Sequence, residues 1–131
     1  MPHRPLSPKG RAAPLARYSP GMQVAAGSEL VFVSGQLGIA ADGTTPDSAE
    51  AQAELCFQAI GAILAEASMG FADIVRLNAF VTERAYLPDY MRVRDRHIAD
   101  PPPASTLMIV QGFSQPQFKV EVECVAAKQK G

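Results

Sequence analysis

The chain has 131 residues, a formal net charge of -1, 47% hydrophobic and 19% charged residues. That length suits one domain, able to bury roughly two-thirds of its unfolded surface without staples. The composition argues against a disordered or membrane-embedded chain, and the charge gives no electrostatic reason to expect a nucleic acid partner.

Residues 1–16 carry Pro2, Pro5, Pro8 and Pro14 with Arg4, Lys9 and Arg11, and no acid. They read as a flexible basic arm. No apolar stretch follows, so no signal peptide is expected. The folded domain is expected over residues 17–127, with 128–131 as a tail. Its first strand is "RYSPGMQVA", broken near Pro20 and Gly21. A Gly-Ser turn leads into "ELVFVSG", a run rich in β-branched and aromatic residues, so the two strands are expected to form a hairpin. "QLGIAADGTTPD" is a loop with an Asp-Gly turn.

Asp47 with Glu50 three residues on predicts the capped start of a helix. Cys56, Ile60, Ile63, Leu64 and Ala67 follow an apolar helical rhythm. Glu50, Gln52, Glu54, Gln58 and Glu66 supply its polar positions, and Gly70 its stop. "DIVRLNAFVT" predicts a central strand. Val75, Leu77, Ala79 and Val81 take one face, and Ile74, Arg76, Asn78 and Phe80 the other. "YLPDYMRVRDRHIAD" predicts a second helix with Tyr90, Val93, His97 and Ile98 inward. Pro101, Pro102 and Pro103 stop it. "STLMIVQG" and "QFKVEVECVA" are the last strands. In the latter Phe118, Val120, Val122 and Cys124 oppose Lys119, Glu121 and Glu123. Both helices are expected on one face of a mixed sheet, an α+β arrangement. Phe80 beside Arg76 and Asn78 suggests that a partner covers the other face.

Cys56 and Cys124 are far apart, in apolar surroundings and without a CxxC spacing. They read as small buried hydrophobes in a reducing, cytoplasmic setting. No HExxH, Cys/His cluster or phosphate-cradling glycine loop occurs, so no metal or nucleotide cofactor is expected. Ser34 lies outside any GxSxG elbow. Glu121 and Glu123 admit two readings: a solvated pair on the polar side of an edge strand, or, buried at a contact, a raised-pKa base for water. Tyr18 is equally a core ring or a pocket wall. Gly35 permits close backbone approach to a ligand.

Together "RYSPGMQVAAGSELVFVSGQLG", "GFADIVRLNAFVTE", "PPPAST" and "VEVECVA" resemble the RidA/YjgF family. It is also called the reactive intermediate deaminase or L-PSP endoribonuclease-like family. The resemblance covers about residues 18–126. It implies the chorismate-mutase-like (YjgF-like) α+β fold and a homotrimer with small-molecule clefts between subunits. It also implies addition of water to a 2-imino or 2-enamino acid with release of ammonia, and no cofactor. No nucleic acid or membrane partner is expected.

Carried across residue by residue, the family's pocket tyrosine matches Tyr18 and its strand-end serine and glycine match Ser34 and Gly35. Its water-activating glutamate matches Glu121. The arginine of the family's P-A-R-S motif is replaced by Ser105 in "PAST". An asparagine of the second helix falls at Met91. An arginine fork holds a carboxylate through two charge-assisted hydrogen bonds, whereas serine offers one neutral donor. Arg17, Arg92, Arg94 and Arg96 are the candidate substitutes. Three functions follow: a hydrolase with an altered substrate, a non-catalytic trimeric binder of a metabolite or protein, and an endoribonuclease.

Overall fold

The computed structural model describes residues 3–130. Its strands are β1 (His3–Leu6), β2 (Gly21–Val24), β3 (Ser28–Leu37), β4 (Ile74–Val81), β5 (Ala104–Ile109) and β6 (Val120–Gln129). Helix α1 (Ala49–Glu66) lies between β3 and β4, and α2 (Leu87–His97) between β4 and β5. The main sheet has the order β3-β6-β4-β5. β6 runs antiparallel to both β3 and β4, while β4 and β5 are parallel. Each helix therefore connects strands that run the same way, and it packs on one sheet face as α+β layering requires.

The expected hairpin does not form. β2 pairs with β1, from His3 opposite Val24 to Leu6 opposite Gly21, in a separate two-stranded ribbon. Four residues of the expected arm are thus strand. His3 pins this ribbon to the sheet. Its Nδ1 accepts from the Ala25 N–H at 3.3 Å, which leaves Nε2 to donate to the Ala127 carbonyl at 2.7 Å. Met1 and Pro2 of the arm and Gly131 of the tail lie outside the described residues. Lys128 and Gln129, expected in the tail, continue β6 opposite Glu29 and Ser28.

Helix α1 starts one residue later than its acidic signal. Ser48 is the N-cap, and its hydroxyl accepts from the Ala51 N–H at 3.1 Å. Glu50 is thereby free to pair with Arg92 of α2 at 3.0 Å. The buried stripe is Ala49, Gln52, Ala53, Cys56, Phe57, Ile60 and Leu64, while Ile63 and Ala67 are exposed. The stripe turns toward Phe57 because α2 lies there, stacking Tyr90 and His97 on that ring. Gly70 is not the helix stop. The chain leaves α1 at Ala67, and Ser68 takes the left-handed backbone at φ 57°.

Gln52, expected on the polar side, is fully buried. Its amide donates to the Pro46 and Gln117 carbonyls at 2.9 and 3.0 Å, and its oxygen accepts from the Lys119 N–H at 2.8 Å. It satisfies three backbone groups that would otherwise be stranded. Helix α2 ends at His97, before the three prolines. Tyr90 and Val93 are buried as expected, joined by Arg94, which pairs with Asp95 at 3.1 Å.

Candidate functional site

Both faces of the main sheet follow from alternation along its strands. On the helix side Val33, Leu77, Ala79, Val81, Val120, Val122 and Cys124 are core. On the other side stand Arg76, Asn78 and Phe80 of β4 and Glu121 and Glu123 of β6, with no helix over them. Phe32 is 74% exposed on the same face, and Met108 is 46% exposed beside Phe80. β6 is an interior strand, so the reading of Glu121 and Glu123 as an edge-strand pair does not hold. Asn78 donates to Glu123 at 3.1 Å and ties that carboxylate to the sheet.

Glu121 has a different environment. β3 and β6 slip register between Val33 and Gln36, placing the irregular segment with Ser34 and Gly35 beside Glu121 and Glu123. The position of a Cβ on Gly35 is 2.8 Å from the Glu121 carboxyl carbon. Only glycine lets the main chain lie this close to the carboxylate. Desolvation, and second the charge of Glu123, raise the Glu121 pKa above its ordinary 4.5. Among the described residues no hydrogen bond holds its charged form, so burial is the deciding cause. Ser34, Gly35 and Glu121 are thus one cluster.

Ser105 and Tyr18 lie elsewhere. Ser105 is in register with the buried Leu77, which places it on the helix side of β5, two strands from β6. Tyr18 is half-buried and precedes Ser19, which bridges to Ala104. The Ser19 N–H donates to the Pro103 carbonyl at 3.0 Å and its hydroxyl to the Pro102 carbonyl at 2.5 Å. Tyr18 and Ser105 are therefore each one residue from the same bridge, at the free edge of the sheet. Tyr18 and Pro20 line a groove of about 550 Å³ together with residues of the segment 7–15.

None of the four arginines considered as substitutes is free. Arg17 donates to the Asp95, Ile98 and Ala99 carbonyls and pairs with Asp100 at 2.9 Å. Arg92 is held by Glu50 and Asp89, Arg94 by Asp95 and Arg96 by Glu54. Met91 packs against the core rather than facing the carboxylates. The cysteines are buried, as the sequence predicts, and burial pushes both thiols up to about 12. They are poor nucleophiles. Among the described residues no cluster of His, Cys, Asp or Glu could hold a metal ion, and no helix is long and apolar enough to cross a membrane.

A family model described as Endoribonuclease L-PSP matches residues 9–128. The chain belongs to this family, the RidA/YjgF family. It is 32% identical over 117 residues to the RutC family protein YjgH of Escherichia coli (strain K12), covering 88% of each chain. It is 30% identical to Protein DfrA of Myxococcus xanthus, covering 95% of this chain and 92% of that one. Among solved structures, a conserved Rid family protein, YyfB from Yersinia pestis, superposes with a TM-score of 0.83. It is 20% identical and spans 98% of this chain and 100% of that one. RidA from the Antarctic bacterium Psychrobacter sp. PAMC 21119 gives a TM-score of 0.71 at 25% identity, with 94% and 98% covered. The α+β fold with two helices on a mixed sheet is the fold of these relatives.

Proposed function

We propose that this RidA-family chain forms a cytoplasmic homotrimer that hydrolyses a small imine or enamine in clefts between subunits. The carrying observation is the Glu121 carboxylate, with its raised pKa, lying open beside the Gly35 main chain. A carboxylate with no hydrogen-bond partner among the described residues and a raised affinity for protons suits a general base. The separation within one chain of Glu121, Ser34 and Gly35 from Tyr18 and Ser105 supports a site completed by a second copy. So does the apolar fringe of Phe32, Phe80 and Met108 around the polar centre of the open face.

In the proposed reaction Glu121 takes a proton from water as the oxygen attacks the carbon of the protonated imine. The π electrons pass to nitrogen, giving a carbinolamine. Glu121 returns the proton to nitrogen, the C–N bond breaks, ammonia leaves and the hydroxyl proton is lost to give the carbonyl product. An enamine first takes a proton on carbon to become that protonated imine. Tyr18 forms a wall for the unsaturated substrate, and the Ser34–Gly35 backbone and Ser105 bind its polar groups. The reaction is balanced without a cofactor. Ser105 in place of arginine shifts preference away from the usual 2-imino acid.

A second reading, a non-catalytic trimer that binds a metabolite or protein, draws on the same replacement at Ser105. For RNA cleavage the histidines are poorly placed: His3 is held by Ala127 and His97 by Glu54, away from Glu121.

Ammonia release from freshly generated 2-iminopropanoate and from a neutral enamine separates these readings. Wild type is expected to act on the enamine, and Glu121→Gln to lose about 10²- to 10⁴-fold. Ser105→Arg is expected to gain on the 2-imino acid. No turnover of either substrate by the wild type leaves the binding reading. Light scattering is expected to give three times the 13.9 kDa chain mass, and Phe32→Glu to weaken that assembly.

A further inference from the structure

Glu121 and Glu123 are two residues apart on β6, so they share the open face at a spacing of about 7 Å along the strand. Their surroundings differ. Opposite Glu123 is Asn78, whose amide N–H donates to that carboxylate at 3.1 Å. Opposite Glu121 is Phe80, which offers no donor. The Asn78 amide oxygen is buried and has no partner among the described residues. Turning the amide over would set that oxygen against a carboxylate oxygen, so the donor stays on Glu123 and the acceptor stays stranded. An ionised acceptor favours this arrangement, because a charge-assisted hydrogen bond is roughly twice as strong as a neutral one.

The neighbouring cations are engaged elsewhere. Arg76, opposite Val125, donates to the Thr106 hydroxyl of β5 at 2.5 Å. Lys119, two residues before Glu121, donates to the Asp47 carbonyl at 2.5 Å. From α1 the titratable group that Glu121 influences is the Cys56 thiol, which burial pushes up to about 12 and so keeps neutral. From β3 the neighbours of Glu121 are the uncharged Ser34, Gly35 and Leu37.

We infer that Glu123, anchored by Asn78, is a positioning residue that acts through Glu121, a fixed negative charge that keeps the neighbouring carboxylate avid for protons. Two carboxylates on one face thereby take different roles: one is charged and held, the other is open and exchanges a proton. The raised pKa of Glu121 agrees, with desolvation its first cause and the Glu123 charge its second. The assignment rests on Glu121 as the base of the proposed hydrolysis and adds what sets its working pH.

Carboxyl NMR titrations of Glu121, its signal identified by its loss in Glu121→Gln, are compared in wild type, Glu123→Gln, Glu123→Asp and Asn78→Ala. Ammonia release from a neutral enamine is followed on the same pH series. Glu123→Gln is expected to move the Glu121 midpoint to lower pH. On the acidic limb its turnover should then exceed wild type about three- to sevenfold, the effect of removing one charge about 7 Å away at an effective dielectric constant of about 40 to 80. Glu123→Asp keeps the charge and should stay near wild type. Asn78→Ala lets the carboxylate swing into solvent and should fall between. A midpoint unmoved in Glu123→Gln, or moved equally by Glu123→Asp, overturns the assignment whether or not ammonia is released. A moved midpoint without turnover supports the charge coupling while refuting the hydrolysis, so the two failures are distinct.

Discussion

The two faces of the main sheet are built from the same strands and behave as different materials. β6 presents Val120, Val122 and Cys124 to the helices, none more than 3% exposed. Its intervening residues Glu121 and Glu123 stand half-buried on the open side. On the helix side each side chain is fixed by close packing and the polar atoms are accounted for, apart from the Tyr90 hydroxyl. On the open side a carboxylate is left without a partner among the described residues, while neighbouring apolar residues remain exposed. Stability resides on the first face and reactivity on the second, so substitutions on the two should change different measurements.

Phe57 gives the largest expected effect. Its ring is fully buried and surrounded by Phe71, Tyr90 and His97. Phe57→Ala should cost about 3–5 kcal/mol through lost burial and a residual cavity, read as a lowered denaturant midpoint. Gln52→Leu should follow, at about 3 kcal/mol, because it strands the Lys119 N–H and two carbonyls in the interior. If Gln52→Leu is neutral, the loops of Pro46 and Gln117 adjust and the buried amide is not their tie. Neither substitution touches the Glu121 cluster, so whatever protein remains folded should keep its pH profile.

Gly35→Ala turns the comparison around. The new methyl meets the movable end of Glu121 rather than backbone, so the carboxylate yields and the fold is little affected. A displacement near 1 Å at a catalytic group costs about 10²-fold in rate. Turnover should therefore fall about that much with the melting temperature nearly unchanged. An equal loss of stability and turnover would show that the open face is as tightly built as the covered one.

The covered face was far more legible in the sequence than the open one. Alternation in β4 and β6 correctly assigned Leu77, Ala79, Val120 and Val122, because burial imposes its period directly on residue type, but a register shift between Ile74 and Arg76 puts Ile74 rather than Val75 in the core. The pairing of β2 was not legible. Its partner "HRPL" has no alternating signal, and main-chain hydrogen bonds leave no mark on side-chain pattern. The helix start was misplaced by one residue because Asp47 and Ser48 are both competent caps. Glu121, Gly35 and Tyr18 stood out in the sequence only as open alternatives, and the family resemblance alone gave them roles. Their spatial relation depends on a register slip and on a bridge between Ser19 and Ala104, neither of which has a sequence signature.

The smallest effect concerns pH and separates the roles of Glu121 most finely. Its folded-state pKa is raised, so the native state binds that proton more tightly than the unfolded chain does. The associated stability is present below the ordinary 4.5 and is lost as pH rises through the raised value. Glu121→Gln removes this dependence, and should slightly stabilise the protein above that window and do nothing below it. The same ionisation is required of the general base, so wild-type turnover should rise across the window in which stability falls. Measuring denaturant midpoints and rates on one pH series tests this opposition. If both rise together, Glu121 gains a partner in the assembled site that reverses the desolvation, and its raised pKa belongs to the isolated chain alone.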